Sequence, residues 1–145
     1  MNSATFSRVF IVDDSPAIRS NLGEMIRRLS NATVDGEAAS AQDAIDGILA
    51  SIPDVVILDL HLAGGSGLAV LRTLHPKLPS VVFAVLTNNP TPQYRRLCMD
   101  AGASHFFDKS NEFVRVIDLV RCGLAHCPND ANTQTQVREA FNASR

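Results

Sequence analysis

Residues 9–16 read VFIVDDSP. Four apolar residues run without alternation into two adjacent carboxylates and then Ser-Pro. A continuous apolar run marks a strand covered on both faces, as in a parallel sheet flanked by helices. Ser15 followed by Pro16 predicts a helix start: a hydroxyl to satisfy the first free N–H groups, then a ring whose φ suits the first helical position. The stretch therefore reads strand, loop, helix, with Asp13 and Asp14 at the strand's carboxyl end. Two like charges there repel each other, so the pair needs a use.

Working outward, the same pattern recurs five times. Ile18, Leu22, Met25, Ile26 and Leu29 fall on one helical face. A weak strand is expected over 33–38, then a helix carrying Ala41, Ala44, Ile45, Ile48 and Ile52, ended by Pro53. The run Val55 to Leu58 leads to Asp59, a glycine-rich loop (Gly64, Gly65, Gly67) and a helix with Leu68, Leu71 and Leu74 in register. The run Val81 to Leu86 ends on Thr87. A helix with Tyr94, Leu97, Cys98 and Ala101 on its inner face comes next. A short strand over 104–108 runs into Lys109, and the last helix turns Phe113, Ile117, Val120 and Leu124 inward. Five β/α units with right-handed crossovers define a doubly wound α/β sheet with helices on both faces. Beyond Pro128 the sequence turns polar, with a short helix expected at most around Val137 and Phe141.

The chain has 145 residues, 46% apolar and 19% charged, at a net charge of −2. That suits one globular domain and gives no bulk attraction to nucleic acid or an acidic membrane. No apolar run reaches the roughly 20 residues of a membrane span. The N-terminus lacks a signal peptide's pattern, so a cytoplasmic location is expected. Three cysteines, Cys98, Cys122 and Cys127, without CxxC spacing fit reduced thiols. Cys122, His126 and Cys127 lie close together, but adjacent residues face different sides of a helix and a fourth ligand is missing.

The decisive residues are the polar ones at the strand ends. In an open α/β sheet, ligands bind outside the carboxyl ends of the strands where the winding reverses. Four strands deliver Asp13, Asp14, Asp59, Thr87 and Lys109 to that edge. Three carboxylates against one lysine make an acidic pocket that favours a cation, and hard oxygen ligands in an incomplete cage suit Mg²⁺. A carboxylate beside such a cation can act as a phosphoryl-transfer nucleophile, with Lys109 and the Thr87 hydroxyl meeting phosphoryl oxygens.

In order and kind, these five positions resemble the response-regulator receiver domain of bacterial two-component signalling, over about residues 7–125. The resemblance implies a flavodoxin-like sheet of strand order 2-1-3-4-5 and a stand-alone receiver domain over 5–127, with a tail over 128–145. It implies that Asp59 is the phospho-acceptor, fed by a histidine kinase or a histidine phosphotransferase protein. Mg²⁺ would be held by Asp13, Asp14, Asp59 and the backbone carbonyl of His61. Thr87 would contact the phosphoryl group and move, and the Phe106 ring would follow it inward. The fourth strand, fourth helix and fifth strand would then change a surface read by an unknown downstream protein, or phosphate would pass onward in a phosphorelay. Direct nucleic-acid binding, membrane insertion and enzymatic turnover beyond self-phosphorylation and autodephosphorylation are not expected.

Three positions depart from the family pattern. Ser110 stands where the family usually has proline after its lysine. A non-proline cis bond costs about 2.5–4 kcal/mol, so a trans Lys109–Ser110 bond that frees Ser110 to cap the last helix stands beside the family's cis form, and both stay open. Ala63 replaces a frequent proline and is expected to loosen the loop after Asp59. Asn88, larger than the usual residue, is expected to narrow access. His61 lies two residues after Asp59 and Asn89 two after Thr87, so both loops are expected to be able to project side chains over the path of water toward Asp59. Two rivals remain open: a binding module of the same fold that never uses phosphorylation, and a haloacid-dehalogenase-type phosphohydrolase. The latter wants a second acid two residues after its nucleophile, where Asp13 is followed by Ser15.

Overall fold

The structure is a computed structural model and describes residues 6–122. The expected tail, the inner-face position Leu124, and His126 with Cys127 lie outside the described residues, as do both ends of the expected 5–127 domain.

Five strands form one parallel sheet: β1 (Ser7–Val12), β2 (Ala32–Ala38), β3 (Val55–Leu58), β4 (Val82–Thr87) and β5 (His105–Asp108). Their order is β2-β1-β3-β4-β5, as expected. Five helices alternate with them: α1 (Pro16–Arg27), α2 (Ala41–Ser51), α3 (Gly67–Leu74), α4 (Pro92–Ala101) and α5 (Phe113–Arg121). The strand periodicity of two divides the core. Phe10, Val12, Val56, Leu58, Phe83 and Val85 pack with α2, α3 and α4 on one face. Val9, Ile11, Val55, Ile57, Ala84 and Leu86 pack with α1 and α5 on the other. Burial on both faces is why the strands read as unbroken apolar runs.

The helix starts follow their caps. Ser15, Ser40, Ser66 and Thr91 each accept a hydrogen bond from an N–H three residues on. α5 is the exception. Ser110 does not cap it; the residue before the helix is Glu112, which makes no side-chain cap bond. The hydroxyl of Ser110 instead donates to the Asp108 carboxylate two residues back.

Two inner-face expectations fail. Ile52 is not part of α2: it is the helix's left-handed terminal residue (φ 47°, ψ 68°) and is 45% exposed. Pro53 disfavours the helical conformation for its predecessor, so the chain turns out of the helix there. A β-branched side chain in this region is strained. Leu97 lies 39% exposed, while Tyr94, Cys98 and Ala101 hold α4 to the core. Three anchors already fill that stripe.

The loop after β3 holds an element the sequence did not suggest. His61–Leu62 and Gly65–Ser66 pair as a two-residue antiparallel ribbon, turned by Gly64 at φ 71°. Ala63 does not loosen this loop. Its N–H donates to Ala39 O (3.3 Å) and its carbonyl accepts from Ala41 N (3.4 Å), tying the loop to the β2–α2 connection. A proline there could not make the first bond. At the ribbon's end, a Cβ on Gly67 would lie 2.1 Å from the carbonyl oxygen of Asp59. Only glycine lets α3 begin this close to that strand end.

Candidate functional site

The winding reverses between β1 and β3, and the two strands pair directly, Val12 opposite Leu58. The Asp59 N–H donates to Val12 O (2.9 Å), which sets Asp13 and Asp59 side by side just past the last pair. On the other side of β3, Thr87 pairs with Asp108, and the Lys109 N–H donates to Thr87 O (2.8 Å). The sheet's own ladder therefore brings β1, β3 and β5 chemistry to one edge.

At that edge Lys109 Nζ donates to Asp13 Oδ2 (2.7 Å) and to Asp59 Oδ2 (3.2 Å). All three side chains are at least nine-tenths buried. Asp14 is exposed, yet it offers a carboxylate oxygen within 4.8 Å of ligand atoms of Asp13 and Asp59. Burial and the charge of Asp13 raise the Asp59 carboxyl above its ordinary value of 3.8, against the opposing pull of Lys109. Burial works against the Lys109 ammonium, but its hydrogen bond to Asp13 and the nearby charge of Asp59 hold its pKa above 10.5. One cation among three acids leaves uncompensated negative charge in a poorly hydrated place. Hard oxygen donors with surplus negative charge fit Mg²⁺.

Thr87 is fully buried at the end of β4, its Oγ1 accepting from Asn89 N (3.1 Å). His61 N–H points to Asp59 Oδ1 at 3.4 Å. Its ring Nε2 lies 2.9 Å from Asn89 Nδ2, so the two residues expected over the site reach each other across it. Asn88 is exposed. Phe106 is buried on the α4 face of the sheet, with the Arg95 guanidinium 5.8 Å from its ring centroid.

Some neighbours of the site were not assigned to it by the sequence reading. Tyr94 sets its ring edge-on to His61, 6.2 Å between centroids. The Lys109 loop is knitted by Asp108 and Glu112: Asp108 Oδ1 accepts from Ser110 N (2.9 Å) and Ser110 Oγ (2.7 Å), while Glu112 Oε1 accepts from Asp108 N (2.7 Å). The signal was an Asp two residues before a Ser, the spacing of an Asx turn. The Lys109–Ser110 peptide is trans: the described residues contain no cis peptide bond.

A family model of the response regulator receiver domain matches residues 9–121, and the chain belongs to that family. The transcriptional activator protein ExaE of Pseudomonas putida is 32% identical over 117 residues, covering 81% of this chain and 55% of that protein. A putative transcriptional regulator of Pseudomonas aeruginosa is 33% identical over 142 residues, 92% of this chain and 68% of that one. The chain thus spans just over half the length of ExaE. Among solved structures, a LuxR-family two-component response regulator from Aurantimonas sp. SI85-9A1 superposes with a TM-score of 0.77 at 26% identity. It covers 87% of this chain and 93% of that one. A chain of the CheX–CheY–BeF₃–Mg²⁺ complex from Borrelia burgdorferi shares the fold, with a TM-score of 0.75 at 20% identity over 83% and 90% of the two chains. No helix among the described residues is long and apolar enough to cross a membrane.

Proposed function

We propose that this receiver domain is a phospho-accepting switch in which Asp59 takes a phosphoryl group from a phosphohistidine on a histidine kinase or histidine phosphotransferase protein. The observation that carries this reading is Lys109 Nζ bridging Asp13 and Asp59 at a buried strand edge, with Asp14 alongside. An oxygen of Asp59 attacks phosphorus, the P–N bond to the donor imidazole breaks, and its electron pair returns to the ring nitrogen. Once ionised, a carboxylate of raised proton affinity is the better nucleophile. Lys109 already holds Asp59 and has an ammonium to offer a phosphoryl oxygen, and the Thr87 hydroxyl is the donor at the end of the neighbouring strand. Mg²⁺, held by Asp13, Asp14, Asp59 and the His61 carbonyl, would supply charge neutralisation on the phosphoryl oxygens.

Contacts that Thr87 makes only with the phosphoryl group bias β4, and Phe106 on β5 and α4 respond to it. The β4–α4–β5 surface then controls partner binding or onward phosphate relay, in a cytoplasmic setting and without enzymatic turnover of other substrates. The test is incubation with acetyl phosphate or phosphoramidate and Mg²⁺, read by intact mass. One phosphoryl group should be added to wild type and none to Asp59→Asn. Equal labelling of Asp59→Asn removes the assignment, and steady turnover of phosphate esters favours a phosphohydrolase instead.

A further inference from the structure

The Lys109 ammonium can bridge two buried carboxylates only if the loop after β5 holds its backbone in place. A prolyl ring would restrict that backbone, and here there is none. What stands in its place is a set of hydrogen bonds converging on one residue, Asp108. Asp108 accepts from Ser110 twice through its carboxylate, its carbonyl accepts from Glu112 N (2.8 Å), and its N–H donates to Glu112 Oε1 (2.7 Å). Glu112 is itself held by Arg115, whose Nη1 donates to Oε2 at 2.8 Å. Lys109 is the residue enclosed by these bonds, with its own N–H fixed to Thr87 O.

We infer that Asp108, Ser110 and Glu112 form a polar bracket that positions Lys109 for phosphoryl transfer, replacing a covalent restraint with charge-assisted hydrogen bonds. The two Ser110 bonds draw the Asp108 carboxyl below its ordinary 3.8, which agrees with an ionised acceptor. None of the three residues hydrogen-bonds to Asp13, Asp14 or Asp59, so they are positioning residues that act through Lys109. Misplacing a reacting group by a fraction of an ångström slows a reaction far more than it destabilises a fold.

The inference rests on the phospho-accepting reading for its kinetic consequence, but not for its geometric one. The chain has two lysines, the exposed Lys77 and Lys109, whose side chain is 9% exposed. With ¹⁵N-lysine labelling, only an ammonium held by carboxylates keeps a sharp Nζ–H signal near neutral pH. Wild type should show that signal. Asp108→Ala and Ser110→Ala should broaden or lose it, and Ser110→Thr, which keeps hydroxyl and N–H, should restore it. The labelling rate with acetyl phosphate should fall roughly tenfold in Asp108→Ala, by less in Ser110→Ala, and recover in Ser110→Thr. If Asp108→Ala does not fold, the exposed Ser110→Ala carries the comparison. Folded variants that keep the wild-type Nζ signal overturn the bracket. So do variants that lose the signal but label at the wild-type rate. If wild type takes no label, the phospho-accepting reading falls, while the Nζ signal still decides whether the bracket holds Lys109.

Discussion

The two ends of the sheet handle charge in opposite ways. At the amino-terminal end, Arg8 donates through its side chain to Asp35 (2.6 Å), to Ile52 O (3.0 Å) and to Ser51 O, while its backbone N–H donates to Asp54 Oδ2 (2.8 Å). Each of the two carboxylates there has its own donor from Arg8, and the guanidinium ties down the carbonyls of Ser51 and the strained Ile52 where α2 ends. At the carboxyl end, one ammonium serves two buried carboxylates and a third stands within reach. The first cluster closes a helix end and is finished. The second asks one ammonium to serve two buried carboxylates, which leaves surplus negative charge away from water. In the first cluster each carboxylate has a donor of its own near the surface; in the second two share one, and the deficit is buried.

The sharpest break of this contrast is removal of the one cation. Lys109→Met leaves Asp13 and Asp59 facing each other without compensation and should cost roughly 2–4 kcal/mol of stability in the absence of metal. Urea unfolding measures it. The loss should shrink toward acid as the carboxylates protonate. In wild type, the lysine's pKa is raised above its unfolded value of 10.5. Its stabilising contribution is therefore fully present below pH 10.5 and fades as pH climbs past that, a loss the variant should lack.

At the amino-terminal end, Arg8→Ala should cost about 1 kcal/mol through the lost hydrogen bonds to the Ser51 and Ile52 carbonyls, which water can partly replace, its half-exposed ion pair with Asp35 adding little. Its labelling at Asp59 should match wild type. A large fall in labelling would mean that the two ends are not independent.

A smaller effect tests the surplus itself. Asp59's folded pKa is raised above 3.8, so the stability it contributes is present below that pH and is lost as pH rises through the folded value. The melting temperature of metal-free Asp59→Asn should therefore pull ahead of wild type as pH rises above 3.8. Mg²⁺ should raise the wild-type value by mass action, and Asp14→Asn should raise it without metal. A wild-type melting curve indifferent to Mg²⁺ would mean that the pocket is not a metal site.

The smallest expected change is kinetic. His61 and Asn89 meet across the site, so His61→Ala and Asn89→Ala should each alter phosphate release after donor removal, with labelling of Asp59 intact. A change within twofold, under about 0.4 kcal/mol in barrier, would show that this contact does not set the lifetime.

The strand order and the acidic edge were legible because each depends on local signals repeated along the chain. Unbroken apolar runs, helix caps and polar strand ends are all written within a few residues of where they act. What escaped depends on competition between groups brought together by folding. Ser110 had two roles to choose from, accepting from the free N–H groups of a helix start or donating to Asp108, and only the loop's path decided between them. Ala63 read as a missing proline; its N–H mattered because β2 ends opposite it. Ile52 fitted the helical period, but the residue after it removed it from the helix. The contact between His61 and Asn89 joins loops 28 residues apart, and no spacing in the sequence encodes it.

Gly67 sets a limit on how this domain can vary. A side chain there would begin 2.1 Å from the Asp59 carbonyl oxygen, a backbone atom that cannot step aside. In a saturation library of this loop, position 67 should return a single survivor. Position 64 meets nothing within 4 Å and is limited only by its positive φ, so it should also admit asparagine. Two glycines three apart, indistinguishable by eye, would then leave opposite signatures: one column empty of alternatives, the other merely selective.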